Sequence, residues 1–165
     1  MILCIDGGNS RLHAGIWDGY SITEYSVYDY SAPATMAAAL HGCFSDSTEP
    51  ETVVACCVKP GVRESLFAAI EKSWPGRVRV ARTVLETGVG TPYEAPETFG
   101  VDRAFAAIAG FAVADGPCVV VDAGTAITVD AVDGSSSIRG GYIHPGHEAL
   151  VSSLSARTGL PDCSS

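Results

Sequence analysis

Two short stretches place an aspartate, glycine and a hydroxyl residue at the end of an apolar run. Asp6-Gly7-Gly8-Asn9-Ser10 follows Ile2 to Ile5, and Asp122-Ala123-Gly124-Thr125 follows Cys118 to Val121. A glycine after a buried strand lets backbone N–H groups approach an anion, and an aspartate at the strand end can hold a divalent cation directly or through water. Together they make a clamp for phosphate groups. Each stretch alone also reads as an ordinary β-turn with an Asx hydrogen bond. Their recurrence in one structural context points to function.

Gly100-Val101-Asp102-Arg103 sets an acid and an arginine in the first turn of a helix. From spacing alone, Asp102 caps that helix and Arg103 makes a surface ion pair. The functional reading has Asp102 take a proton from a substrate hydroxyl while Arg103 grips a carboxylate or phosphate. Gly140-Gly141-Tyr142-Ile143-His144-Pro145-Gly146 is a strand end running into a helix start, with glycines that admit a ligand or another backbone. His144 and His147 are separated by Pro145-Gly146 with no cysteine nearby, so they read as solvated or capping residues rather than metal ligands.

These residues need elements to hold them. Ile2 to Ile5, Leu12 to Trp17 and Ser21 to Tyr28 read as strands, with Asp18-Gly19 as a two-residue hairpin signal. A helix is expected over Ala34 to His41, with a polar loop from Ser45 to Pro50. A strand over Thr52 to Val58, a helix over Val62 to Trp74 stopped by Pro75-Gly76, and a strand over Arg77 to Val80 follow. Residues 84 to 99 hold Gly88, Gly90, Pro92 and Pro96 and form the longest irregular stretch, the best candidate for a connection between lobes. A helix over Gly100 to Ala114 then introduces a second meander: Cys118 to Val121, Thr128 to Val132 and Ile138 to Ile143 around Asp133-Gly134, closed by a helix from His147 to about Arg157. Strand, Asp-x-Gly turn, strand, hairpin, strand thus occurs twice. That is the pattern of a duplicated α/β lobe, with a first lobe and its connection over 1–99 and a second over 100–165.

Bulk properties narrow the function. The chain of 165 residues, 47% hydrophobic and 18% charged, can bury a real core without crosslinks. Ten basic against nineteen acidic residues leave a net charge of −9, which repels nucleic-acid backbones and anionic lipid. An anionic ligand must therefore be neutralised locally, by backbone N–H groups, a divalent cation and few side chains. Cys4, Cys43, Cys56, Cys57, Cys118 and Cys163 show no CxxC spacing, and those inside apolar runs read as small buried hydrophobes. The N-terminus lacks a basic region before its apolar run and no stretch reaches membrane-spanning length, so a cytoplasmic protein with reduced thiols is expected.

Taken in order, the motifs resemble the type III pantothenate kinases over nearly the whole chain. The resemblance rests on Asp6, Gly8, Asn9 and Ser10, on Val53 to Pro60, and on Tyr93, Pro96 and Gly100-Val101-Asp102-Arg103. It continues through Pro117 to Ala126 and Gly140 to Gly146. It implies ribonuclease H-like duplicated lobes of the actin-like ATPase superfold and ATP-dependent phosphorylation of the pantothenate hydroxyl, the first step toward coenzyme A. By the same resemblance Asp102 would be the general base, and Tyr93, Gly100 and Arg103 would place pantothenate. Asp6, Gly8, Asn9 and Thr125 would face the phosphates and Mg²⁺, and Asp122 would lie near a monovalent cation, K⁺ or NH₄⁺. A homodimer is implied as well.

Family members continue beyond the equivalent of Leu160-Pro161. An incomplete second lobe that exposes apolar surface is therefore expected here. Two rival readings stand beside the kinase: a non-catalytic relative that keeps ligand recognition, and another actin-like kinase acting on a different small molecule.

Overall fold

In a computed structural model the described residues are 1–30, 40 and 49–158. The chain divides into two compact units, Met1–Arg82 and Thr83–Ser165. The helix expected over 34–41 lies outside the described residues apart from Leu40, as do Cys43 and Cys163.

The first unit is built on a five-stranded sheet of order β3-β2-β1-β4-β5. Its strands are β1 (Ile2–Gly7), β2 (Arg11–Trp17), β3 (Ile22–Asp29), β4 (Thr52–Cys57) and β5 (Val78–Ala81). β1, β2 and β3 pair antiparallel as the expected meander, whereas β4 runs parallel to β1 and β5 parallel to β4. Period-two alternation turns Leu3, Ile5, Val53, Ala55 and Cys57 to one face, where helix α1 (Arg63–Ser73) buries Leu66, Phe67 and Ile70. Each large apolar side chain so buried stabilises by about 1.5–3 kcal/mol. Leu40 and Trp74 join this core. Trp74 ends α1, its N–H donating to the Ile70 carbonyl, and Gly76 turns the chain at φ 73°.

The second unit is a three-stranded antiparallel sheet, β6 (Cys118–Ala123), β7 (Ala126–Val132) and β8 (Ile138–Pro145), with helix α2 (Val101–Ala114) against one face. Gly110 brings the helix close, since a Cβ there would fall on a methyl of Val120. Ala104, Ala107, Val132 and Ile138 form the core, together with Val84, Val89 and Phe99 from the stretch expected to join the lobes. That stretch is thus built into the second core, carried by two short 3-10 turns, Val84–Thr87 and Pro96–Thr98. The first turn is fixed by a capping box between Thr83 and Glu86. Helix α3 (His147–Thr158) has no buried residue. Val119, Val121 and Tyr142 are exposed; the register places Val121 and Tyr142 opposite Val129 and Val119 opposite Ala131, on the sheet face away from α2.

The expected elements are present to within two residues wherever they fall on described positions. The hairpins differ from expectation. β2 and β3 are joined by residues 18–21, and β7 and β8 by 133–137, so neither loop is of two residues. The Asp18 carboxylate accepts the N–H groups of Tyr20 (2.8 Å) and Ser21 (2.9 Å), and Asp133 accepts those of Ser135 (2.9 Å) and Ser137 (3.0 Å). Asx turns rather than tight primed turns reverse the chain. Cys56 and Cys57 are buried, Cys4 and Cys118 are half-buried, and all four are free thiols. Burial pushes the Cys4 and Cys57 thiols above their ordinary range. Among the described residues, no helix is long and apolar enough to cross a membrane.

Candidate active site

In the first unit Asp6 stands exposed at the carboxyl end of β1, its carboxylate accepting a weak bond from the Cys56 thiol at 3.3 Å. Gly7 beside it is buried. Its Cβ would lie 2.7 Å from Cys57 Sγ and 3.0 Å from the Tyr30 hydroxyl, so glycine is required by space. The turn is then tied down residue by residue. Gly8 N–H donates to the Arg11 carbonyl (3.0 Å), Tyr30 O–H donates to the Gly8 carbonyl (2.7 Å), and Lys59 Nζ donates to the Asn9 carbonyl (2.6 Å). Burial, followed by the neighbouring thiols and Asp6, raises the Tyr30 hydroxyl far above its ordinary range, so it stays a neutral donor. Lys59 also lies over the Tyr30 ring, 4.7 Å from its centre. The loop leaving β4 opens a cavity of about 500 Å³ lined by Val58, Lys59, Pro60, Gly61, Arg63, Glu64 and Ser65. Lys59 therefore belongs to both the turn and the cavity.

In the second unit the start of α2 gathers the expected substrate-side residues. Gly100 is the N-cap, and the half-buried Asp102 accepts the Arg103 N–H at 2.8 Å, satisfying a first-turn donor without being the cap itself. A Cβ on Gly100 would press on that carboxylate, at 2.5 Å. The surface ion pair expected for Arg103 is not what forms. Arg103 is 8% exposed and its Nε and Nη2 bind Asp130, itself 2% exposed, at 2.9 and 2.5 Å. The guanidinium lies 4.3 Å from the centre of the Phe99 ring, and Tyr93 packs on Phe99 with ring centres 5.3 Å apart. Burial works against the Arg103 charge, but Asp130 and then Tyr93 raise its pKa, and it remains a cation.

Asp122 is exposed near the carboxyl end of β6, and Thr125 is exposed in the turn that follows. Val120 faces Asp130 across β6 and β7, and Asp122 faces Thr128 one row further on, so Asp122 shares the α2-side face with Asp130. The turn is closed by Gly124 N–H on the Ala126 carbonyl (2.9 Å), and Gly146 N–H donates to the Thr125 carbonyl (3.0 Å). A Cβ on Gly146 would fall on the Gly124 carbonyl oxygen and lie 2.6 Å from that of Thr125. The glycine before α3 is thus what lets the second turn and the helix start meet.

Asp6, Gly8 and Asn9 accordingly lie in one unit, and Tyr93, Gly100, Asp102, Arg103, Asp122 and Thr125 in the other. Tyr93, Gly100, Asp102 and Arg103 are brought together. Asp130 and Lys59 are additions that sequence reasoning missed. Asp130 gave a contrary signal: it alternates with Ile127, Val129 and Ala131, a pattern that reads as a solvent-facing acid. Lys59 had none, because its partner Asn9 is fifty residues away. Among the described residues no group of three or more His, Cys, Asp or Glu side chains could hold a metal. Single carboxylates at strand ends fit a Mg²⁺ that keeps most of its waters and takes other ligands from phosphate oxygens.

A sequence model of the type III pantothenate kinase family matches residues 2–163. The chain belongs to that family. It is similar to the type III pantothenate kinases of Halorhodospira halophila and Alkalilimnicola ehrlichii, each 34% identical over 98% and 96% of this chain. The Chlorobaculum parvum enzyme of the same description is 31% identical over 94% of it. The chain spans 66%, 65% and 60% of the lengths of these family members. Among solved structures, a candidate 2-dehydro-3-deoxygalactonokinase from Sinorhizobium meliloti superposes with a TM-score of 0.55 at 12% identity, over 96% of this chain and 58% of that one. The Aquifex aeolicus Ppx/GppA phosphatase, type II variant, gives 0.52 at 17% identity, over 94% and 54%. At such identities the likeness is one of fold, that of the actin-like kinases and phosphatases.

Proposed function

We propose that the chain carries the pantothenate kinase reaction, ATP-dependent phosphorylation of the primary hydroxyl of pantothenate at the start of coenzyme A synthesis. The observation that carries the reading is the gathering of Tyr93, Gly100, Asp102 and Arg103 at one helix start in a member of this family. In the reading, the hydroxyl oxygen of pantothenate forms a bond to the γ-phosphorus of ATP and the bond from that phosphorus to the bridging oxygen breaks, releasing ADP. Asp102 accepts the hydroxyl proton. Arg103 and Tyr93 hold pantothenate, and Gly100 leaves room for it. The first turn, Asp6, Gly8 and Asn9, and Thr125 of the second turn face the phosphates, and Asp6 binds the hydrated Mg²⁺, which neutralises phosphate charge when present. Asp122 lies by a monovalent cation, K⁺ or NH₄⁺. Positioning and charge neutralisation supply most of the rate in phosphoryl transfer. A cytoplasmic homodimer completes the reading.

The test is pantothenate-dependent ADP formation with Mg·ATP, with and without K⁺ or NH₄⁺, by the purified chain and by Asp102→Asn. Turnover needing both pantothenate and the monovalent ion is expected, with a loss of about 10²–10⁴-fold in the variant and binding retained. Equal rates in the two proteins would remove Asp102 from its role. Pantothenate binding without turnover would favour the non-catalytic relative, and absence of both would overturn the reading.

A further inference from the structure

The buried pair between Arg103 and Asp130 is built with unusual care for a structural contact. Asp130 engages Nε and Nη2 side-on, which uses two of the five guanidinium N–H donors, and the Tyr93 hydroxyl takes a further hydrogen bond, leaving two donors at the outer fork. The plane is fixed from one side by Phe99, on which Tyr93 packs. Gly141 leaves the room the pair needs, since a Cβ there would fall on the Asp130 carboxylate and lie 2.7 Å from Arg103 Nη2. An apolar pair of similar volume would stabilise the same fold as well or better, so fold stability alone gives little reason for ions here.

We infer that Asp130 is a positioning residue: it holds the Arg103 guanidinium side-on so that the remaining fork meets the carboxylate of pantothenate. This rests on the reading of Arg103 given above. The arrangement supplies direction rather than charge, because the pair is neutral before the carboxylate arrives. Phe99 serves the same end by packing on the guanidinium plane, and Gly141 by leaving room for the pair.

The experiment compares binding of pantothenate and of ATP, by calorimetry, to the unaltered chain, Arg103→Met and Asp130→Asn, with the thermal midpoint of each. Asp130→Asn keeps volume but removes the charge and one acceptor. Its dissociation constant for pantothenate is expected to rise between about tenfold and a hundredfold, the scale of a misplaced binding group, while that for ATP changes less than about twofold. If Arg103→Met loses pantothenate but Asp130→Asn binds it normally, the inference is overturned and the reading of Arg103 stands. If Asp130→Asn weakens both ligands in the same proportion, the pair is structural only and the inference is again overturned. Normal binding by Arg103→Met, or none by the unaltered chain, removes the reading and the inference with it. Should Asp130→Asn fail to fold, Asp130→Glu keeps both charges, moves the acceptor by one methylene and carries the same readouts.

Discussion

The two aspartate–glycine turns share a motif and differ in what holds them. The first is braced by side chains from other elements: Tyr30 on the Gly8 carbonyl, Lys59 on the Asn9 carbonyl, and Cys57 packed where Gly7 has no Cβ. The second is exposed and is met by backbone, its Thr125 carbonyl accepting the N–H of Gly146 at the start of α3. Side chains can shift by rotamer changes, whereas a carbonyl in a turn moves only if the turn moves. The same small insult should therefore cost stability at the first turn and geometry at the second.

Gly146→Ala tests the second turn and should have the larger effect. Its Cβ meets two carbonyl oxygens, so the turn or the helix start must move. ATP affinity is expected to fall by about tenfold or more, as for a misplaced binding group. Calorimetry on folded protein reads it, and unchanged affinity would mean that the second turn is not a phosphate contact. Gly7→Ala tests the first turn, where the obstacles are Cys57 and the Tyr30 hydroxyl. Overpacking there should cost about 1–3 kcal/mol in denaturant unfolding, and Cys57→Ala in the same chain should recover part of it. No recovery would mean that the strain is not relieved through the thiol, and the contrast between the turns would fail.

Tyr30→Phe removes the hydroxyl's hydrogen bonds to the Gly8 carbonyl and to Cys57 while keeping the ring. A loss of about 1 kcal/mol is expected, with the carbonyl left to water where it can reach it. Hydrogen exchange over residues 7–10 should rise without change in the second unit. An unaltered exchange pattern would show that Lys59 and the β1–β2 ladder suffice.

The sequence reveals both turns because their signals are local: an apolar run, an aspartate, a glycine. It reveals the meanders because short apolar runs bounded by aspartate–glycine turns are written locally along the chain. The braces on the first turn were not legible, since Tyr30 and Lys59 reach across 22 and 50 residues to backbone atoms that look alike in every sequence. Asp130 was less legible still. Alternation in β7 sets Ile127, Val129 and Ala131 apart from Thr128 and Asp130, which would turn the acid to solvent, and only the packing of α2 on that face shows it to be buried against Arg103. The hairpins were misjudged in length because Asp-Gly signals a tight turn and an Asx turn equally, and the serines that follow Asp133 decide for the latter.

The two hairpin aspartates offer the smallest and sharpest comparison. Hydrogen bonds from the Ser21 and Tyr20 amides hold Asp18 below the ordinary carboxylate range, and the Ser135 hydroxyl with the Ser137 and Ser135 amides does the same for Asp133. A depressed folded value means that the contribution is fully present above the unfolded value, near 4, and is lost as pH falls through the folded value. Asp18 is exposed and Asp133 half-exposed, so the effect is small and screened by salt. Asp18→Asn and Asp133→Asn should each lower the thermal midpoint slightly at pH 7. The difference from the unaltered chain should close toward pH 2, where the aspartates are themselves neutral. A difference that persisted at acid pH would assign the capping to shape rather than to charge, because asparagine and neutral aspartic acid accept the same amides through a carbonyl oxygen.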